Sequence, residues 1–346
     1  MILDKLIGVF SNDMAIDLGT ANTIVSVRGK GIIINEPSVV AVQNDRHGKD
    51  KILAVGQEAK RMLGKTPLNI QAVRPMQDGV IADFEMTERM IRYFIEKAHS
   101  RKSFIRPRVI ICIPYGITQV ERKAVEESAM SAGAREVFLV EEPMAAAIGA
   151  GIPVSDPEGH VIVDIGGGTT EIGVTSLGGL VLCKSVKVGG DKIDRSIIEY
   201  VRQNYNLFIG ERTAETVKIE VGAAIKLDPE LKIQIKGKDH SGYLSTIELG
   251  SEGIRIAIKE PLKEIASAIR SVLENMPPDL AGDVVDNGII ITGGGALIRG
   301  LDKYLMEIVK IPVKIADEPL LSVAYGTSQV LDEPGLLKVI EDMKNS

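Results

Sequence analysis

Two stretches of the chain are variants of one another. Residues 17–27 read DLGTANTIVSV and residues 164–174 read DIGGGTTEIGV, with Asp, Gly, Thr and Val recurring in register. Each follows a short apolar run, turns on glycine and enters another such run, the pattern of a strand–turn–strand unit. Repeated this far apart in 346 residues, the unit points to two duplicated domains facing each other across a cleft, and length alone also suggests roughly two domains. A hairpin repeated for purely structural reasons would not need an aspartate at the strand end in both copies.

The rest of the chain alternates β-branched apolar runs with helical patterns, which argues for an α/β architecture. VIICIP (109–114), VIVDI (161–165) and GIIIT (288–292) read as buried strands. The spacing predicts a helix over Phe84–Ala98 with Met90, Ile91, Phe94, Ile95 and Ala98 on one face. Thr118 and Glu121 form a capping box for a second helix that runs to Gly133. Pro143 is placed as the first residue of a short Ala-rich helix after the strand VFLVE.

The repeated turns have a chemistry of their own. A phosphate chain is bound by backbone N–H groups that approach closely, which glycine permits. Gly19-Thr20-Ala21-Asn22 and Gly166-Gly167-Gly168-Thr169 both suit that task, with hydroxyls of Thr20, Thr23, Thr169 and Thr170 as further donors. Asp17 and Asp164, heading the turns, would repel phosphates unless a cation intervened, and Mg²⁺ accepts one or two carboxylates while keeping most of its waters. A third turn, Gly293-Gly294-Gly295-Ala296, follows the strand ending at Thr292 and is expected to open a helix from Leu297, again directing N–H groups at negative charge. No GxxxxGK[ST] run is present, which excludes a P-loop, and the turns lack GxGxxG spacing.

Composition removes other classes. The net charge is −6 and no Lys/Arg run makes a basic stripe, so nucleic acid is not an expected partner. Cys112 and Cys183 both lie in strand-like apolar runs and read as buried free thiols, fitting a reducing, cytoplasmic compartment. The four histidines are scattered without zinc-ligand spacing, and no apolar stretch approaches the roughly 20 residues that span a bilayer.

The two turns resemble the phosphate loops of the actin, Hsp70 and sugar-kinase superfamily. TGGGALIRGL (292–301) is similar to its adenosine motif, and EEPMAAAIGAGI (141–152) and SVAYGTSQVL (322–331) to its two connecting helices. FSNDMAIDLGTANT (10–23), NEPSVVAV (35–42) and RPMQDGVIADF (74–84) extend a closer resemblance to the MreB family of bacterial actin homologues across nearly the whole chain. The resemblance implies an actin-like ATPase fold, two duplicated RNase-H-like domains with smaller inserted subdomains around a nucleotide cleft. Its subdomain IA would comprise 1–32, 77–155 and 321–346, with IB at 33–76. IIA would comprise 156–190 and 258–320, with IIB at 191–257.

It also implies ATP and Mg²⁺ as cofactors, slow ATP hydrolysis, and antiparallel double protofilaments on the cytoplasmic face of the membrane. Those filaments would organise cell-wall synthesis and maintain rod shape, with RodZ, MreC and MreD as partners. Residue by residue, Asp17, Gly19, Thr20, Ala21, Asn22 and Thr23 fall on the first loop, and Asp164, Gly166, Gly167, Gly168 and Thr169 on the second. Gly293, Gly294, Gly295 and Ala296 fall on the adenosine motif. Glu142 matches the acid that orients the attacking water, with Thr169 its companion. Glu215 and Lys218 match residues near the ribose; their i,i+3 spacing alone would read as a surface ion pair. Tyr115 and Tyr325 stand where smaller or different residues are expected.

Three other functions in the same superfamily compete. A small-molecule kinase would need a further catalytic aspartate, and the pattern supplies none beyond the two turn aspartates. An Hsp70-like chaperone would need a long C-terminal substrate domain. A filament protein that binds no nucleotide would have no use for intact glycine turns.

Near the N-terminus, Leu3, Leu6, Ile7 and Phe10 fall at i, i+3, i+4 and i+7, the pattern of an interfacial amphipathic helix or equally of a segment packed on the protein's own core. Phe104 and Ile105, flanked by Arg101, Lys102, Arg106 and Arg108, suit insertion beside anionic headgroups or burial as a loop anchor.

Overall fold

The computed structural model describes residues 12–43, 51–67, 69–99, 106–333 and 335–336. The chain divides into two compact units: the described residues of Met1–Pro157, Thr175–Val181 and Leu321–Ser346 make the first, and Glu158–Val174 with Leu182–Leu320 the second.

The first unit is built on a five-stranded sheet in the order Glu136–Glu141, Arg108–Ile113, Met14–Leu18, Asn22–Val27, Gly31–Pro37. The first three strands run parallel, while Met14–Leu18, Asn22–Val27 and Gly31–Pro37 form an antiparallel meander. Parallel neighbours need a crossover, and helices Phe84–Ala98 and Gln119–Ser131 lie in the connections. The Phe84–Ala98 helix is held at its start by Asp83, whose carboxylate accepts from the Met86 amide at 3.0 Å. Its Met90, Ile91, Phe94 and Ile95 share one core with Met14, Ile16 and Ile111 of the sheet, as the spacing predicts. The second helix begins with the expected capping box: Glu121 N–H donates to Thr118 Oγ1 at 3.2 Å, and Thr118 N–H to Glu121 Oε2 at 2.7 Å. A small sheet of Lys51–Val55, Val40–Gln43 and Ile70–Val73 is inserted after the meander.

Two helices of this unit cross at unusually short range. A Cβ added to Gly149, at the end of helix Glu142–Gly149, would lie 1.8 Å from the Ser322 carbonyl oxygen, and one at Gly326 would lie 1.8 Å from that of Ala145. Only glycine at both positions lets the Ala-rich helix seat against Ser322–Asp332. Pro143 occupies the second position of its helix rather than the first, since Glu142 already adopts helical geometry.

The second unit repeats the plan. Its five-stranded sheet runs Gly179–Val186, Thr170–Ser176, His160–Ile165, Ile289–Thr292, Val313–Ile315, with the last three strands parallel. In both units the central strand carries the aspartate of the repeated motif, and the next strand in sequence carries the rest of it. Val161, Val163, Ile172 and Ile291 of the sheet share one core with Ile193, Val217 and Ile265 of the covering helices. Here the insertion is a sheet of Leu207–Phe208, Lys232–Asp239 and Leu244–Gly250.

Cys112 is buried in its strand, but Cys183 is only half-buried, because Gly179–Val186 is the edge strand of its sheet. No helix among the described residues is long and apolar enough to cross a membrane.

Candidate functional site

Strand register brings the first set of motif residues to one edge of the first unit's sheet. Asp17 pairs with Cys112, and Ile113 with Glu141, so the turn after Asp17 and the residue after Glu141, Glu142, both emerge at the C-terminal ends of the parallel strands. That is where open α/β sheets place ligand-binding loops. Glu142 is buried at the first position of its helix.

The first turn is closed by the Gly19 amide donating to the Asn22 carbonyl at 3.1 Å. Ala21 and Asn22 are exposed at its tip, Asp17 is half-buried, and Thr20 and Thr23 are buried. The turn is propped from behind by Ser38, whose hydroxyl donates to the Gly19 carbonyl at 2.6 Å and lies 2.9 Å from Thr23 Oγ1, while its amide donates to the Ala21 carbonyl at 3.0 Å. A second prop comes from Gly79, whose amide donates to Thr20 Oγ1 at 3.3 Å. Sequence reasoning missed Ser38 as a site residue; its only signal is a lone hydroxyl ahead of the apolar run Val39–Val42.

The second turn repeats the closure: the Gly166 amide donates to the Thr169 carbonyl at 2.9 Å, the same pair of positions in the repeat. Its aspartate is in a different setting. Asp164 is buried, its Oδ1 has no hydrogen-bond partner, and burial pushes its carboxyl up to about 7.

Asp164 pairs in register with Thr292, so the third glycine turn emerges beside the second. Gly293 has φ of 79° and ψ of 171°, a conformation open essentially to glycine. A Cβ there would lie 2.4 Å from the Ile165 carbonyl oxygen and 2.6 Å from Asp164 Oδ1. The expected helix from Leu297 begins later. Gly294–Leu297 is a single 3₁₀ turn and the α-helix starts at Leu301, because Ile298 is extended and Gly300 takes a left-handed conformation. The backbone N–H groups of Gly294, Gly295 and Ala296 therefore line a tight turn rather than an α-helical N-terminus.

Glu215 and Lys218 lie on helix Glu211–Val221. Lys218 does not pair along its own helix. Its ammonium donates to Asp194 Oδ2 at 2.9 Å and to the Gly190 carbonyl at 3.1 Å, both on helix Gly190–Tyr205. Asp194 is buried; burial pushes its carboxyl up to about 6, with the Lys218 charge pulling the other way. Sequence reasoning missed Asp194 as well, since an acid beside Ile193 and Ile197 reads as the polar edge of an amphipathic helix.

Among the described residues no group of three or more His, Cys, Asp or Glu side chains is arranged to hold a metal ion. Leu3, Leu6, Ile7, Phe10, Phe104 and Ile105 lie outside the described residues.

Two units on one plan, each with an aspartate one residue before the end of its central strand and a glycine turn after it, define an actin-like protein. The structure superposes on MreB 5 of Spiroplasma citri bound to AMPPNP with a TM-score of 0.88 at 40% identity, covering 95% of this chain and 98% of that one. It superposes on the MamK double helical filament with a TM-score of 0.78 at 22% identity, covering 93% and 99%, a likeness of fold. The cell shape-determining protein MreB of Escherichia coli strain K12 is 54% identical over 335 residues, 96% of each chain. Residues 11–339 match the MreB/Mbl protein family, and the chain belongs to that family.

Proposed function

We propose that the protein is an ATP-dependent, membrane-associated actin-like filament protein that organises cell-wall synthesis and maintains rod shape, with slow ATP hydrolysis coupled to polymer dynamics. The observation that carries the nucleotide half of this reading is the repeated turn, closed identically at Gly19–Asn22 and Gly166–Thr169 with an aspartate at the head of each. AMPPNP in the MreB 5 relative supports ATP as the ligand. The family's cell shape-determining members support the cellular role.

In this reading the amides of Thr20, Ala21 and Asn22, and of Gly167 and Gly168, donate to phosphate oxygens, while those of Gly19 and Gly166 close the turns that present them. The third turn, Gly293–Ala296, receives the adenosine. Glu142 polarises and orients the attacking water, with Thr169 as its companion, rather than acting as a strong base. Glu215 and Lys218 lie towards the ribose. The set fits Mg²⁺: Asp164 presents a buried oxygen with no partner, an arrangement costly for the protein alone and relieved by a cation. Asp164 and Asp17 would hold it through water, and it would supply neutralisation of the phosphate charge.

The subdomain division given by the family resemblance, self-assembly into antiparallel double protofilaments, and the partners RodZ, MreC and MreD belong to the same proposal. So do the cytoplasmic membrane face and its contacts through Leu3, Leu6, Ile7, Phe10, Phe104 and Ile105. The test is phosphate release together with electron microscopy of the protein on anionic lipid, with and without Mg·ATP, for the natural chain and Glu142→Ala. Paired filaments with nucleotide only, and hydrolysis lost in Glu142→Ala with ATP binding retained, are expected. Hydrolysis at the natural rate in Glu142→Ala overturns the role of that residue, and nucleotide-independent filaments overturn the coupling.

A further inference from the structure

The second turn is tied to the helix that follows its sheet. Gly190 N–H donates to the Gly166 carbonyl at 3.0 Å and Asp191 N–H to the Gly167 carbonyl at 2.8 Å, so the first turn of helix Gly190–Tyr205 is fastened to the back of the glycine turn. Lys218 reaches the same place from another helix. A Cβ built on Gly190 would lie 3.1 Å from Lys218 Nζ and 3.7 Å from Gly167 Cα, so the ammonium and the turn's backbone flank the same point at Gly190. A positive charge is therefore held behind the turn.

The ammonium is held there by Asp194. Lysine has three donors on a flexible stem; one goes to Asp194 Oδ2 and one to the Gly190 carbonyl. Asp194 is only 8% exposed, and its Oδ1 has no hydrogen-bond partner. A half-satisfied buried carboxylate is costly to keep and is a poor choice for stability alone. Its geometric effect is specific, since it fixes Lys218 against the turn and joins helix Glu211–Val221 to helix Gly190–Tyr205.

We propose that Asp194 is a positioning residue for nucleotide binding, holding the Lys218 ammonium against the Gly166–Gly168 turn so that the turn and the Glu211–Val221 helix respond together to phosphate. This rests on the reading of that turn as a phosphate loop. Asp194 acts through Lys218 and touches no reacting atom.

The experiment is a double-mutant cycle on ATP affinity with Asp194→Asn, Lys218→Met and the pair, measured by calorimetry with Mg·ATP beside nucleotide-free thermal unfolding. Each single variant is expected to weaken ATP binding about tenfold, and the pair no further than either alone, because both remove one arrangement. Nucleotide-free unfolding is expected below the natural temperature for Asp194→Asn, which leaves the Lys218 ammonium without its charge partner, and nearer to it for the pair, which removes both charges. Asp194→Ser, smaller and also uncharged, is a second variant should the amide not be accommodated. Natural ATP affinity in Asp194→Asn or Asp194→Ser, or additive effects in the cycle, would overturn the positioning role. Failure of the natural chain to bind ATP would instead overturn the reading of the turn.

Discussion

The two repeated glycine turns share a backbone and differ in what stands behind it. Each is closed by an amide-to-carbonyl bond between equivalent positions of the repeat, 3.1 Å in one and 2.9 Å in the other. The first is backed by neutral groups: the Ser38 hydroxyl, Thr23 and the Gly79 amide. The second is backed by charge and by close-packed backbone: buried Asp164, the Gly293 turn against Ile165, and the Lys218–Asp194 pair beside Gly190. The two copies thus share the bond that closes the turn, while the residues that support it differ. The first turn is expected to act mainly as a shaped cradle, and the second to store electrostatic free energy that a ligand releases.

The largest effect that would sharpen this contrast is expected from Gly293→Ala. The substitution forces a side chain into a glycine-only conformation and drives a Cβ to within 2.4 Å of a carbonyl oxygen. Backbone strain alone costs about 1–3 kcal/mol, and the overlap adds to it. Chemical denaturation is expected to show marked destabilisation with loss of ATP binding; a midpoint like that of the natural protein would show that the backing of the second turn is soft.

Next in size is the pH response of Asp164. Its carboxyl lies near 7 in the folded protein against an ordinary value of 3.8, so the folded state binds the extra proton across that interval. Nucleotide-free stability is therefore expected to fall as pH rises from about 4 to about 7 and then to level off. Asp164→Asn should remove that contribution to the slope and raise nucleotide-free stability at pH 8, while abolishing Mg-dependent ATP hydrolysis. An unchanged slope in the variant would mean that the charge stored at the second turn lies elsewhere.

Much of this contrast was hidden in the sequence for a physical reason. The repeat, the capping box at Thr118 and the apolar face of Phe84–Ala98 are local patterns, and the structure reproduces them. Register then places Asp17 with Glu142, and Asp164 with Gly293, at strand ends within their own units. Ser38 and Asp194 could not be read, because their partners are 19 and 24 residues away and nothing in either segment signals the contact. The helix start was misplaced from Leu297 to Leu301 because a glycine run signals a turn without specifying its conformation.

The smallest effect is expected at the first turn, and it bears most directly on the comparison. Ser38→Ala removes the hydroxyl that donates to the Gly19 carbonyl at 2.6 Å and meets Thr23 at 2.9 Å, leaving both to find other partners in a buried setting. Losing one neutral buried hydrogen bond of this kind costs about 1–3 kcal/mol. The amide of residue 38 still donates to the Ala21 carbonyl, so the turn keeps part of its support. A modest loss of stability is expected, independent of pH between 5 and 8 in contrast to Asp164→Asn, with ATP affinity reduced less than in Asp194→Asn. If Ser38→Ala instead weakened ATP binding more than Asp194→Asn did, the first turn would be the one that sets affinity, and the division between cradle and charge store would be reversed.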